Sequence, residues 1–241
     1  MSRRLYNQIH FYCAYLCQQN FRILNDAMKL ALIRILLLKC SNAKKQIMST
    51  IVDTSLEMNI KSHFEMILEE NLRLVSQIDF EQVAKLIPFV QSANRIFVVG
   101  AGRTGLALKA TAMRLMHLGF TIFIVGETTT PAIEKGDLLI AGSGSGTTSS
   151  IVKAAEKAVS AGAQVVSLST TNDSPLAKLS TLVAILPAAQ KQDHNGTLSK
   201  QYAGSLFEQS VLLLMDAIIH TLWGLDGTPA EELWKRHANL E

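Results

Sequence analysis

Cysteine is scarce in this chain of 241 residues, and its three copies, Cys13, Cys17 and Cys40, all fall within the first 47 positions. The remaining body therefore has no disulfide to staple it, and no feature of it calls for secretion; a cytoplasmic protein is expected. A basic surface is missing as well. The formal net charge of +3 is uneven, because residues 1–47 carry eight Lys/Arg against Asp26 alone, which leaves residues 48–241 at −4. That balance argues against nucleic acid as a partner of the main body. The best apolar run of the first segment, Ala27 to Leu38, is interrupted by Lys29 and Arg34. It is too short and too charged to span a bilayer, and it lacks the clean core and cleavage site of a signal peptide. Cys13 and Cys17 have no companion ligand pair, so no metal site is expected. Residues 1–47 read as a basic N-terminal extension, poorly ordered or a mis-assigned leader, with Met48 or Met58 as the working start.

What the body does have is regular alternation of strand and helix. A helical hairpin is expected over 58–92, where Ile60, Phe64, Ile67, Leu68, Leu72 and Val75 recur at helical spacing and Asp79 caps a second helix. This hairpin is a candidate for subunit packing. A sheet core follows over 95–186, with strands at Arg95–Val99, Phe120–Val125, Asp137–Ala141, Gln164–Leu168 and Leu182–Leu186. Helices are expected from Gly100 to about Leu118, over Ser149–Ala161 and near Pro175–Leu179. C-terminal helices occupy 204–239: Ser205–Trp223, apolar nearly all round, and Pro229–Asn239. The pattern predicts an α/β, three-layer, doubly wound five-stranded parallel sheet in the order 2-1-3-4-5. In that order a crevice opens between strands one and three, and a glycine-rich turn follows each of them.

The turn after strand three, Gly142-Ser-Gly-Ser-Gly-Thr-Thr148, concentrates hydroxyls and glycines just before a helix. Free amides, hydroxyl donors and a positive dipole end make this a phosphate cradle. It is not a Walker loop, since no Lys follows the last Gly. The turn after strand one, Gly100-Ala-Gly-Arg-Thr-Gly105, also matches a dinucleotide fingerprint, with Glu127 placed where a ribose-binding acid belongs. Against that rival, Arg103 stands where a pyrophosphate needs bare backbone. A small phosphorylated ligand held by Arg103 and Thr104 is favoured.

Glu208 has two readings. Ser205-x-x-Glu208 is a capping box, and a carboxylate on an apolar helix is also suited to general-base work. On spacing alone the two stay level. By default His117 is a satisfied helix histidine at a subunit contact, and His237 is the charged end of a surface helix. His220 and Asp216 are spaced to pair, and His63 and His194 carry no signal.

Taken together, GAGRTG (100–105), AMRLMHLGF (112–120), VGETTTP (125–131), SGSGTT (143–148), SLFEQ (205–209) and KRHANL (235–240) resemble the sugar isomerase (SIS) domain family. The resemblance covers roughly Met58 to Glu241 and is closest to isomerases of hexulose phosphates. It implies the SIS fold for residues 48–241 and Glu208 as the proton-transferring base. It also implies phosphate binding by Ser143, Gly144, Ser145, Gly146, Thr147 and Thr148 with Arg103 and Thr104, where relatives have Ser at the position of Thr104. Family members are typically homotetramers with sites at subunit interfaces, which would let His117 or His237 act at a neighbouring site. The implied reaction interconverts D-arabino-hex-3-ulose 6-phosphate and D-fructose 6-phosphate through a cis-enediol, in the ribulose monophosphate route of formaldehyde assimilation. No cofactor or metal is expected for it, and no membrane partner for the main domain. Another SIS phosphosugar isomerase (arabinose-5-phosphate type) and a non-catalytic phosphosugar sensor are the alternatives.

Overall fold

The computed structural model describes Leu38, residues 54–192 and residues 198–240. The expectations for residues 1–47 other than Leu38, and for His194, lie outside these. The chain divides into two compact units, Met1–His63 and Phe64–Glu241. Of the first, the described residues are Leu38 and 54–63, all helical.

The second unit opens with α1 (64–75), followed by α2 (Phe80–Ala84) and α3 (Leu86–Ser92). Asp79 caps α2 by accepting from the Gln82 amide at 3.0 Å. The second arm of the expected hairpin is thus two short helices and not one. The cause is Pro88, which has no N–H to give Ala84 and whose ring crowds that carbonyl. None of the apolar positions read from α1 is fully buried. Glu70, Asn71 and Leu74 are buried, whereas Phe64, Leu68, Leu72 and Val75 form an exposed stripe.

Five strands follow: β1 (Ile96–Gly100), β2 (Ile122–Ile124), β3 (Leu138–Gly142), β4 (Gln164–Ser169) and β5 (Leu182–Ile185). All neighbours pair in parallel, in the order β2-β1-β3-β4-β5. The connecting helices are α4 (Gly102–His117), α5 (Ser149–Ser160) and α6 (Pro175–Leu179), and α7 (Ser205–Asp226) and α8 (Ala230–Trp234) close the chain. Alternate strand residues serve opposite layers. Ile96, Val98, Leu138 and Ile140 pack with Leu108 and Leu115 of α4 and Val211 and Met215 of α7. Phe97, Leu139, Ala141 and Val165 pack with Ile151, Ala155 and Ala158 of α5. β3 is buried along its whole length, as a central parallel strand covered on both faces must be.

α7 is long and apolar enough, by length and composition, to cross a membrane, yet 56% of its most apolar window is packed inside the fold. Its other face is open and carries Leu212, Leu213, Asp216 and His220. Asp216 and His220 form no ion pair; His220 stands edge-on to Trp223 at 5.6 Å. The last helix ends at Trp234, short of the expected Asn239.

Candidate functional site

β1 and β3 lie side by side with Gly100 opposite Gly142, so both glycine turns leave the same edge of the sheet. The absence of side chains here is a packing requirement. A Cβ on Gly105 would come within 2.6 Å of the Gly100 carbonyl, and one on Gly142 within 2.8 Å of Thr104 Cγ2. Gly100 and Gly105 therefore let α4 lie tight against the end of β1, and Thr104 occupies the space that Gly142 leaves. This accounts for the dinucleotide-like spacing without a dinucleotide. The acid of that rival reading, Glu127, is paired instead with Lys109 at 2.5 Å on the outer side of α4.

The 143–148 loop is folded on its own polar groups. Ser143 and Thr148 hydroxyls meet at 3.0 Å, and those of Ser145 and Thr147 at 2.9 Å. The Gly144 carbonyl accepts from Thr170 N, Thr170 Oγ1 and Ser169 Oγ. Gly146 has φ +62°, and a Cβ there would overlap Ser174, with 2.1 Å to its Oγ. Only glycine fits that position.

Three helices begin around this loop, and all three begin without a side-chain cap: α4 after Ala101, α5 after Thr148 and α7 after Gly204. Asp79 and Ser174 do cap α2 and α6, while α3 and α8 also start without a side-chain cap. Uncapped first turns leave amide donors and positive dipole ends for a ligand to satisfy. All three starts line one cleft of about 80 Å³, together with Thr104, Ser143, Gly144, Ser145, Ala189, Gln190, Lys191 and Phe207. Gly146 and Thr147 shape the loop and do not line the cleft. The arrangement supplies the donors and positive dipole ends that an anion with several oxygens would need.

Glu208 stands in the first turn of α7 beside the cleft and is 7% exposed. Arg103 Nη1 donates to its Oε2 at 3.0 Å and to Ser205 Oγ at 3.0 Å, and Lys191 Nζ lies 3.7 Å from Oε1. The capping box does not form: Gly204 is the N-cap, and Ser205 Oγ donates backwards to the Tyr202 carbonyl at 2.6 Å. The left-handed backbone at Ala203 (φ 50°) and Gly204 (φ 76°) directs Ser205 away from the role a cap needs. Lys191 was not among the sequence candidates. It comes from an irregular stretch where no periodicity signals which side chain turns inward.

The two histidines lie elsewhere. His117 ends α4, about 21 Å from Arg103 along a helix rising about 1.5 Å per residue. It is buried, its Nδ1 has no partner, and its ring stacks on His237 at 4.0 Å. Burial first, then His237 and Arg114, hold its pKa below the ordinary histidine value. Arg236 closes over this pair by donating to the His117 carbonyl at 2.7 Å. Within one chain, then, the fold brings together Arg103, Thr104, the 143–148 loop and Glu208, and leaves His117 and His237 apart.

This combination of doubly wound sheet and hydroxyl-rich switch-point loop is that of a sugar-phosphate domain. The SIS domain model matches residues 89–213, and the chain belongs to that family. A 3-hexulose-6-phosphate isomerase of Mycobacterium gastri is 50% identical over 183 residues, which is 76% of this chain and 92% of that one. Its counterpart in Bacillus subtilis is 42% identical, covering 73% and 95%. A solved structure from Methanococcus jannaschii, described as inferring the function of a 3-hexulose-6-phosphate isomerase, superposes with a TM-score of 0.65. It is 31% identical and covers 75% of this chain and 99% of its own. These relatives place the chain in the 3-hexulose-6-phosphate isomerase branch of the SIS family.

Proposed function

We propose that the chain interconverts D-arabino-hex-3-ulose 6-phosphate and D-fructose 6-phosphate by moving one proton between adjacent carbons. The three uncapped helix starts and the hydroxyls of Thr104, Ser143, Ser145 and Thr148 receive the phosphate. Gly144 admits it closely, Gly146 and Thr147 hold the loop's shape, and Arg103 and Lys191 add charge. Anchoring the phosphate places the reacting carbons of the open-chain sugar beside Glu208. Glu208 removes the proton from C2, next to the C3 ketone. The electron pair forms the C2–C3 double bond and leaves the negative charge on O3; the C2 hydroxyl proton passes to O3, and the carbon-bound proton returns to C3 as the C2 carbonyl forms. Arg103 and Lys191, already 3.0 and 3.7 Å from the carboxylate, are the cations nearest the developing oxyanion.

The observation that carries this reading is a buried carboxylate that follows the cleft-lining Phe207, contacts the cleft-lining Lys191, and is held by two side chains that are themselves well exposed. Its test is Glu208→Gln. That variant should bind fructose 6-phosphate as the parent does while losing turnover and the exchange of the C3 proton in heavy water. Full turnover would refute it.

The homotetramer is part of the same proposal. The exposed stripe of Phe64, Leu68 and Leu72 supports association of copies, as do Leu106 and Met113 on α4. His117 and His237, beside a cavity of about 440 Å³, are then available to a neighbouring subunit's cleft. Mixing inactive Glu208→Gln and His117→Ala subunits should restore part of the activity if sites are shared. The cytoplasm is the inferred compartment, the ribulose monophosphate route the inferred pathway, and the phosphohexulose the inferred partner.

A further inference from the structure

Glu70 lies on α1, outside the cleft, and is 3% exposed. Nothing in the proton transfer described above uses it, yet three donors hold its carboxylate. Ser199 Oγ donates to its Oε2 at 2.6 Å, the Lys200 amide to Oε1 at 2.7 Å, and Gln201 Nε2 to Oε2 at 3.0 Å. Gln201 Oε1 then accepts from Gln209 Nε2 at 2.8 Å, and Gln209 Oε1 from Asn71 Nδ2 at 2.9 Å. Asn71 follows Glu70 along α1, so the four side chains close a ring in which every amide donates toward the carboxylate.

The ring encloses a short stretch of unusual backbone. Between Gln201 and Gln209 the chain passes through Ala203 and Gly204, both left-handed, and Ala203 has a Cβ that disfavours this conformation. A strained residue persists where its surroundings over-determine it. Here the chain is pinned at Ser199–Gln201 before the strain and at Gln209 after it. Glu208 precedes Gln209 directly, and Ser205, which receives Arg103, follows Gly204.

We propose that Glu70, Gln201 and Gln209 are positioning residues that hold the 202–204 turn in its strained form and so aim Glu208 at the substrate. The inference rests on Glu208 being the proton-transferring base. Burial pushes the Glu70 carboxyl up, but the Lys200 amide, Ser199, Gln201 and Arg73 outweigh it and hold the pKa below its ordinary value. The acceptor is therefore ionised throughout the neutral range, when it binds its donors most strongly.

The test measures kcat and KM for hexulose phosphate in Gln201→Ala and Glu70→Gln, with Glu208→Gln alongside. Gln201 is half-buried on a loop, so its truncation decides the matter even if Glu70→Gln fails to fold. Because displacing a reacting group by about 1 Å can cost about a hundredfold, a fall in kcat of about tenfold or more is expected for Gln201→Ala. KM should stay within about twofold, since the phosphate donors are untouched. A folded Gln201→Ala with the parent's kcat overturns the proposal, as does a KM that rises more than kcat falls. If Glu208→Gln turns over normally, the base assignment fails and this proposal fails with it. If Glu208→Gln is inactive while Gln201→Ala matches the parent, only the ring's role is lost.

Discussion

Asp137 and Glu208 are both buried carboxylates paired with an arginine, toward opposite ends of the parallel strands, and they are held in different ways. Asp137, 2% exposed, receives Arg95 Nε at 3.0 Å, Arg95 Nη2 at 2.6 Å and the Glu134 amide at 2.8 Å. The guanidinium fork and a backbone donor leave it little freedom. Glu208 has one arginine nitrogen at 3.0 Å and a lysine at 3.7 Å. Both of those side chains are more than half exposed, and among the described residues no backbone amide donates to the carboxylate. A carboxylate fully bound by fixed donors is scaffold. One bound only by movable cations can exchange them for a substrate.

The largest effect that could break this contrast is on turnover. Glu208→Gln should lower kcat by about a hundredfold to ten-thousandfold, the range general-base removal covers. Asp137→Asn should leave kcat within a few-fold and lower the melting temperature by about 5 °C or more, since a charge-assisted pair is lost. Steady-state kinetics and thermal melts of both variants decide it. If the two changed places, Asp137 would be the working group.

Next in size is the loop that packs against Phe207, the neighbour of Glu208. Gly146→Ala forces a Cβ into Ser174 at a left-handed position, so the loop must open. KM for the sugar phosphate should rise about tenfold or more, with a smaller change in kcat. Arg103→Met and Lys191→Met sharpen the point further, each raising KM by about threefold to tenfold if both cations follow the phosphate. Unchanged KM in both variants would mean that they serve Glu208 alone.

These two ends were unequally legible in the sequence. The sheet order could be read because strands buried on both faces, such as Leu138–Gly142, give unbroken apolar runs, and the glycines at 100–105 and 142–146 mark where the backbone turns. The loop hydroxyls were legible for the same reason: they cluster within a few residues. Lys191 and Gln201 were not, because they meet Glu208 or its supports only through long-range folding from stretches without periodicity, and Glu70 was not, because the helical spacing of α1 does not reveal that its polar side turns inward. Glu208 itself fitted a capping box as well as a base. What decided against the cap was the backbone of Ala203 and Gly204, and an alanine announces no left-handed turn. The apolar stripe on α1 was visible, but which side faced this chain's own core was not.

Acid should separate the carboxylates by stability. Burial raises the Asp137 pKa, but Arg95 and the Glu134 amide lower it more, and the net value lies below the ordinary 3.8. The unfolded chain then binds more protons between the folded pKa and about 3.8. Asp137 therefore contributes its full stabilisation above about pH 4 and loses it as pH falls through the folded value. Asp137→Asn should be less stable at neutral pH and show a flatter decline in acid, measured as denaturation midpoints from pH 2.5 to 7. An unaltered slope would show that the Arg95 pair is not what acid breaks.

The smallest effect belongs to the far end of α4. His117 titrates below the ordinary histidine value of 6.5, through burial first and then the nearby His237 and Arg114. Between its folded pKa and about 6.5 the unfolded chain binds the extra proton, so stability rises with pH across that window and is complete above it. His117→Phe fills the same buried place, keeps a ring against His237 and removes the titration. Its melting temperature should then vary between pH 5.5 and 7.5 by a degree or two less than the parent's. An unchanged difference would mean that the pair stays solvated, leaving the buried, unpartnered Nδ1 to be satisfied by a neighbouring copy.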